Sequence, residues 1–151
     1  MIYWFIGNCG AGKSTLAKML KKDFNAKGRP SVYFDGDDLH KLFNIPYNKE
    51  TLSLEYRSEQ TRALQRLIAY IADQHVDVIV STVNAYRNVR EEFKSSRNDI
   101  IEFYVHTNEI RERDRYKVIN FEEPLINYVG IDTGNGHSIE DSFRNVYMHV
   151  I

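Results

Sequence analysis

The stretch Gly7-Asn8-Cys9-Gly10-Ala11-Gly12-Lys13-Ser14-Thr15 directly follows the apolar run Ile2-Tyr3-Trp4-Phe5-Ile6 and satisfies the pattern G-x-x-x-x-G-K-[ST] at every position. A strand that ends in such a loop and runs into a helix from Lys13 leaves several backbone N–H groups pointing at one spot, where the helix dipole also favours anions. Polyphosphate is the ligand that matches. Gly7, Gly10 and Gly12 supply unusual backbone angles and let the chain approach the ligand closely. Asn8, Cys9, Ala11 and Thr15 complete the cradle, Lys13 is the positive charge for the terminal phosphates, and the Ser14 hydroxyl is a ligand for Mg²⁺.

Composition narrows the partners. With 42% hydrophobic and 27% charged residues over 151 positions, the chain reads as an ordinary soluble globular domain. A net charge of −1 argues against a nucleic-acid polymer as partner. The lone Cys9 cannot form an intrachain disulfide, which suits the cytoplasm. The N-terminal apolar run is too short to span a bilayer and lacks a basic leader, so neither a membrane anchor nor a signal peptide is expected.

Beyond the loop, Leu16, Ala17, Met19, Leu20 and Phe24 recur at helical spacing until Gly28-Arg29-Pro30 ends the helix. Ser31-Val32-Tyr33-Phe34 reads as a short buried strand that stops at Asp35-Gly36-Asp37-Asp38. These carboxylates gather where open α/β sheets bind ligands, and Asp37 or Asp38 also suits the cap of a helix running to Phe43. A long helix from about Leu52 places Leu64, Leu67, Ile68 and Ile71 on one face, with Arg57, Glu59, Gln60 and Arg62 in its polar first half. Those arginines either meet a ligand or pair with Glu55 and Glu59 on a solvated face. Strands are expected over 76–80 and 100–105, with a helix from Asn88 to about Ser95 between them. The charge-dense segment from Asn108 to Asn127 reads as a helix and then a mobile flap, or as an ordinary exposed helix and loop. Arg144 to Ile151 reads as a last strand. The alternation predicts a parallel, three-layer α/β sheet in one domain over 1–151, with a lid at about 108–128.

Taken together, these residues resemble the adenylylsulfate (APS) kinase family, which phosphorylates the 3′-hydroxyl of adenosine 5′-phosphosulfate. Asp35-Gly36-Asp37-Asp38 is similar to its Asp-Gly-Asp-Asn, and Arg57-Ser58-Glu59-Gln60-Thr61-Arg62 to its Arg-x-x-Asn-x-Arg helix start. Tyr86-Arg87-Asn88-Val89-Arg90 is similar to the segment after its third strand, which usually reads Ser-Pro-Tyr/His-Arg, and Ile101 to Thr107 resembles its Ile-Glu-Val-Phe-Val-Asp-Thr. Arg113-Asp114 and Tyr116-Lys117 are similar to pieces of its lid, and Asn127 to Asp132 to its Asn-Phe-Thr-Gly-Ile-Asp. The resemblance implies a P-loop kinase fold with a short lid, ATP and Mg²⁺ as cofactors and a small nucleotide as acceptor, and it admits a homodimer. It implies that Asp37 takes or orients the proton of the attacking hydroxyl, that Asp35 supports Mg²⁺ through water, and that Lys117 neutralises charge on the transferred phosphoryl. Arg57, Arg62 and Arg87 would hold the acceptor, Gln60 would add an amide contact, Tyr128 would stack on its base, and Arg113 would lie against the adenine of ATP.

The chain departs from the family on the acceptor side. His40 stands for an arginine, Asn84-Ala85 for Ser-Pro, the lid is shorter, and the C-terminal helix is expected to be absent. Adenylylsulfate is therefore the first choice of acceptor, with cytidine diphosphoramidate, the substrate of a related kinase in surface-polysaccharide pathways, as the alternative. A nucleotide-binding regulator without transfer activity and a small-molecule kinase of the gluconate or shikimate type are the readings of other kinds.

Overall fold

The apolar run that precedes the glycine-rich loop forms β1 (Ile2–Ile6), and all of its residues are buried. The computed structural model describes residues 1–112 and 117–151. Alternate side chains of a strand leave on opposite faces, so Tyr3 and Phe5 enter one core while Ile2, Trp4 and Ile6 enter the other. β1 therefore needs a helical layer on each side. After α1 (Lys13–Ala26) the chain forms β2 (Ser31–Asp35), α2 (Gly36–Leu42), α3 (Leu54–Ala72), β3 (Asp77–Ser81), α4 (Arg87–Ser95), β4 (Ile100–His106), β5 (Tyr128–Asp132) and α5 (Ile139–Tyr147). Among the described residues the five strands are all parallel, in the order β2-β3-β1-β4-β5. Leu16, Leu20, Phe24 and Val146 place α1 and α5 on one face; Ile68, Ala72 and Phe93 place α3 and α4 on the other. This is the expected three-layer P-loop kinase architecture.

Several local expectations are corrected. β2 is half-buried rather than buried, because it is an edge strand. α2 is capped by Asp35, whose side chain accepts from the Asp37 amide at 2.9 Å; neither Asp37 nor Asp38 closes it. On α3, Leu67 is exposed and Gln65 is buried instead, donating to the Val89 carbonyl at 2.9 Å and so fastening α3 to α4. The last strand is β5, not 144–151, and the C-terminal helix is present as α5. Ser138 starts it by accepting from the Asp141 amide at 3.0 Å, and Ser142 and Val146 turn inward at helical spacing.

The segment 117–127 forms no helix; it is a strap laid against the protein. The Val118 amide donates to Asn8 Oδ1 at 2.8 Å in the phosphate loop, and the Glu122 amide donates to the Ala85 carbonyl at 2.9 Å. Charge density suggests a solvated helix or flap; in this part of it the Val118 and Glu122 amides have partners in the phosphate loop and before α4.

Candidate functional site

Where β1 ends, Gly7 has φ 141°, and a Cβ there would lie 2.1 Å from the Val105 carbonyl oxygen. Only glycine allows that close passage of the loop over β4. α1 begins at Gly12 with no side-chain cap and no acidic residue in its first turn, whereas Asp35, Ser53 and Ser138 cap α2, α3 and α5. The first amides of α1 are thus left for an anion. Lys13 is 8% exposed and lies folded over the loop, its Nζ donating to the Asn8 carbonyl at 2.8 Å. Cys9 and Gly10 are half-buried, Ala11 is buried and Thr15 faces solvent.

Asp35 is the hinge between this cradle and the rest of the site. Its Oδ2 accepts from Ser14 Oγ at 2.6 Å, from Ser81 Oγ at 2.8 Å and from the Tyr33 hydroxyl at 2.8 Å, while Oδ1 takes the Asp37 amide. Burial alone would push its carboxyl up, but the hydrogen bonds from Ser14, Ser81 and Tyr33 outweigh it and hold the group below the usual carboxylate range. Burial, joined by the neighbouring carboxylate, pushes the Tyr33 hydroxyl up to about 12 and keeps it a donor. A hydroxyl and an ionised carboxylate side by side next to a phosphate cradle fit Mg²⁺ bound with polyphosphate, Ser14 as ligand and Asp35 through water. Asp37 and Asp38 are exposed, and among the described residues no group of three acidic, histidine or cysteine side chains converges on a metal site.

The residues assigned to the acceptor fall into distinct groups. Arg57 is half-buried near the start of α3 and Gln60 is exposed one turn on. Arg62 is drawn into ion pairs with Glu59 at 3.1 Å and Glu92 at 3.4 Å. His40 stacks on Tyr47 with centroids 4.6 Å apart, and its Nδ1 is enclosed without a partner. Asn84 holds a left-handed φ of 43°, and its Oδ1 is likewise enclosed and unpartnered. Arg87 is spent on the strap, its Nε donating to the Glu123 carbonyl at 2.6 Å. Lys117 is exposed at the mouth of a small cavity of about 110 Å³, whose lining includes Asn8, Cys9, Tyr104, His106 and Phe121. Arg113 lies outside the described residues.

Tyr128 packs edge-on against Tyr104, one of the residues lining that cavity, with ring centroids 6.2 Å apart. Its backbone lies opposite Glu102 at the start of β5, four residues before Asp132, which pairs with His106 at the sheet's C-terminal edge. Phe121, stacked on Tyr104 at 5.8 Å, lines the cavity together with Asn8 and Cys9 of the phosphate loop. Sequence reading missed Phe121, and it also missed Tyr33, Ser81 and Arg111. Arg111 donates to the Gly10 carbonyl at 3.0 Å while paired with Glu109 at 2.8 Å, bracing the loop from the β4 side. Only the alternation of β2, which turns Tyr33 and Asp35 to one face, could have signalled any of these.

The family model for adenylylsulphate kinase matches residues 1–132. The chain belongs to the adenylylsulphate kinase family. An adenylyl-sulfate kinase of Thermodesulfovibrio yellowstonii is 30% identical over 108 residues, 68% of this chain and 51% of that protein. The cytidine diphosphoramidate kinase of Campylobacter jejuni is 25% identical over 138 residues, 87% of this chain and 77% of that protein. The chain thus spans about half the length of the first of these adenylyl-sulfate kinases. Among solved structures, Mycobacterium tuberculosis APS kinase in complex with AMPPNP and APS superposes with a TM-score of 0.76 at 20% identity, covering 97% of this chain and 95% of that one. At that identity the likeness carries the fold, which is the fold of the adenylylsulphate kinase family. Among the described residues no helix is long and apolar enough to cross a membrane.

Proposed function

We propose that this chain is an ATP-dependent kinase that transfers the γ-phosphoryl group to the 3′-hydroxyl of a nucleotide with a charged 5′ modification, adenylylsulfate being the first choice. The observation that carries the reading is the double use of Asp35: one oxygen takes the Ser14 hydroxyl of the phosphate loop at 2.6 Å and the other takes the Asp37 amide at 2.9 Å. The donor cradle and the acidic turn are thereby joined through one carboxylate. Loop amides and Lys13 would hold the donor phosphates, and Mg²⁺, when bound, supplies charge neutralisation at the β- and γ-oxygens. Asp37 would orient the acceptor hydroxyl and take its proton as that oxygen bonds to phosphorus and the bond to the ADP oxygen breaks. Lys117, beside the loop, would meet charge on the moving phosphoryl, Arg57 would hold the acceptor's anionic group, and Phe121 would stack on its base.

A second acceptor is favoured by particular residues. His40 and Asn84 each keep an enclosed, unpartnered polar atom at positions where the chain departs from the family pattern. Those departures, and the match to the Campylobacter jejuni protein over most of its length, support a cytidine diphosphate type of acceptor as the alternative.

Incubation with Mg-ATP and a panel of adenylylsulfate and cytidine diphosphate acceptors, read by mass spectrometry, tests both. The expected result is one phosphate gained by one acceptor class, with Asp37→Asn slowing turnover by roughly 10²-fold. Tight ATP binding with no acceptor modified, and no effect of Asp37→Asn, would leave a nucleotide-binding regulator instead.

A further inference from the structure

We propose that Arg90 is a positioning residue that assembles the acceptor side of the site by holding the Asn84 turn, the strap and β4 with one guanidinium. The proposal deepens the kinase reading above and rests on it for the identity of the ligand. Arg90 is 2% exposed on α4. Its Nη1 donates to the Asn84 carbonyl at 2.5 Å, its Nη2 donates to the Glu122 carbonyl, and its Nε faces Glu102 Oε1 at 3.2 Å as an ion pair without hydrogen-bond alignment. The guanidinium also lies 5.5 Å from the Phe121 ring centroid. A planar fork with donors on three sides can serve three such directions at once, and a lysine ammonium on a flexible stem cannot.

The partners of Arg90 are what give it a role beyond packing. Asn84 is held at a left-handed φ of 43°, a conformation that costs a non-glycine residue energy and persists where its surroundings impose it. Glu122, whose carbonyl Arg90 holds, places its side chain over the start of α4, where Oε2 accepts the Arg87 amide at 2.6 Å. Lys94, one turn on from Arg90, repeats the pattern: it pairs with Glu102 and donates to the Ile126 carbonyl at 2.8 Å. Buried Glu102 is thus the anchor for two cations, each of which also holds one strap carbonyl. Arg90 differs from Lys94 in also reaching Asn84, in the turn before α4, and Phe121, on the strap itself.

The test compares the full-length wild type with Arg90→Lys, Arg90→Met and the double variant Arg90→Met/Glu102→Leu. The double variant removes Arg90 together with the buried carboxylate it faces, while Lys94 keeps its ion pair with Glu91 at 3.1 Å, and so keeps the fold measurable. Binding of AMPPNP and of adenylylsulfate is measured by calorimetry, steady-state constants for the acceptor that the wild type phosphorylates are determined, and amide exchange is followed at Val118 and Glu122. All three variants are expected to raise the acceptor KM tenfold or more with the ATP KM within twofold, and to speed exchange at Glu122 at least tenfold. The double variant recovers the melting temperature but not the acceptor KM. Recovery of acceptor KM and exchange together with the melting temperature would overturn the proposal, as would wild-type values in Arg90→Lys. If the wild type phosphorylates no acceptor, the kinase reading fails. Exchange at Glu122 then still decides whether Arg90 holds the strap.

Discussion

Ser14 Oγ donates to Asp35 Oδ2 at 2.6 Å, across 21 positions of sequence. The contact joins the two strongest signatures in the chain, the glycine-rich loop after β1 and the acidic turn after β2, although β3 lies between those strands in the sheet. Ser81 at the end of β3 closes the gap by donating to the same oxygen at 2.8 Å. The loops at the C-terminal ends of β1, β2 and β3 therefore meet at one carboxylate, as parallel sheets of this kind arrange their ligand sites.

Tyr33 fixes that carboxylate from β2. Tyr33→Phe removes one donor to a charged acceptor, an interaction typically worth about 1.5–3 kcal/mol. The Mg²⁺ concentration for half-maximal turnover should rise roughly tenfold with the acceptor KM unchanged. A magnesium titration identical to wild type would show that Ser14 and Ser81 suffice.

Gly7 permits no side chain. With a Cβ 2.1 Å from the Val105 carbonyl and φ at 141°, Gly7→Ala must displace either the loop or β4. Thermal unfolding should show a loss of about 3 kcal/mol or more, together with loss of nucleotide binding. Gly28→Ala offers a control: a Cβ there would meet nothing within 4 Å, so only the strain of φ 65° is felt.

Phe121 and Tyr128 make opposite predictions. Phe121 lines the cavity with Asn8 and Cys9 of the phosphate loop, whereas Tyr128 is not among its lining residues and meets that cluster at the edge of Tyr104. Base stacking on an aromatic ring is worth about 1–3 kcal/mol, so Phe121→Ala should raise the acceptor KM about tenfold or more. Tyr128→Ala should leave it within twofold, and the reverse pattern in steady-state kinetics would restore Tyr128 as the platform.

Acid should unfold the protein through a few named carboxyls. The Arg97 hydrogen bond holds Asp99 below the usual range; for Asp77 and Asp35, burial pushes upward but the Arg29 bond and the three hydroxyl bonds respectively prevail. Such groups bind fewer protons folded than unfolded near their pKa values. Their stabilisation is complete above the unfolded value of about 4 and is lost as pH falls through the lower folded values. The melting temperature should drop steeply below about pH 4, and Asp77→Asn, less stable at neutral pH, should show a shallower drop. An equal slope in both proteins would remove Asp77 from the account.

The sequence by itself determined the phosphate cradle, the parallel α/β sheet and the acidic turn, because each rests on local rules. A glycine at a given offset, an apolar run or a 3.6-residue period constrains the backbone within a few residues. The tertiary structure decided which side chains meet. It put Asp35 rather than Asp37 at the cap of α2, drew Arg62 and Arg87 into protein contacts, turned residues 128–132 into a sheet edge, and packed both Phe121 and Tyr128 on Tyr104. It also gathered Arg90, Lys94 and Glu102 into one buried cluster. These pairings join elements distant in the chain, and charge or aromaticity alone does not say which partner a side chain will find. Only the packing of α4 and the strap against the sheet makes that choice.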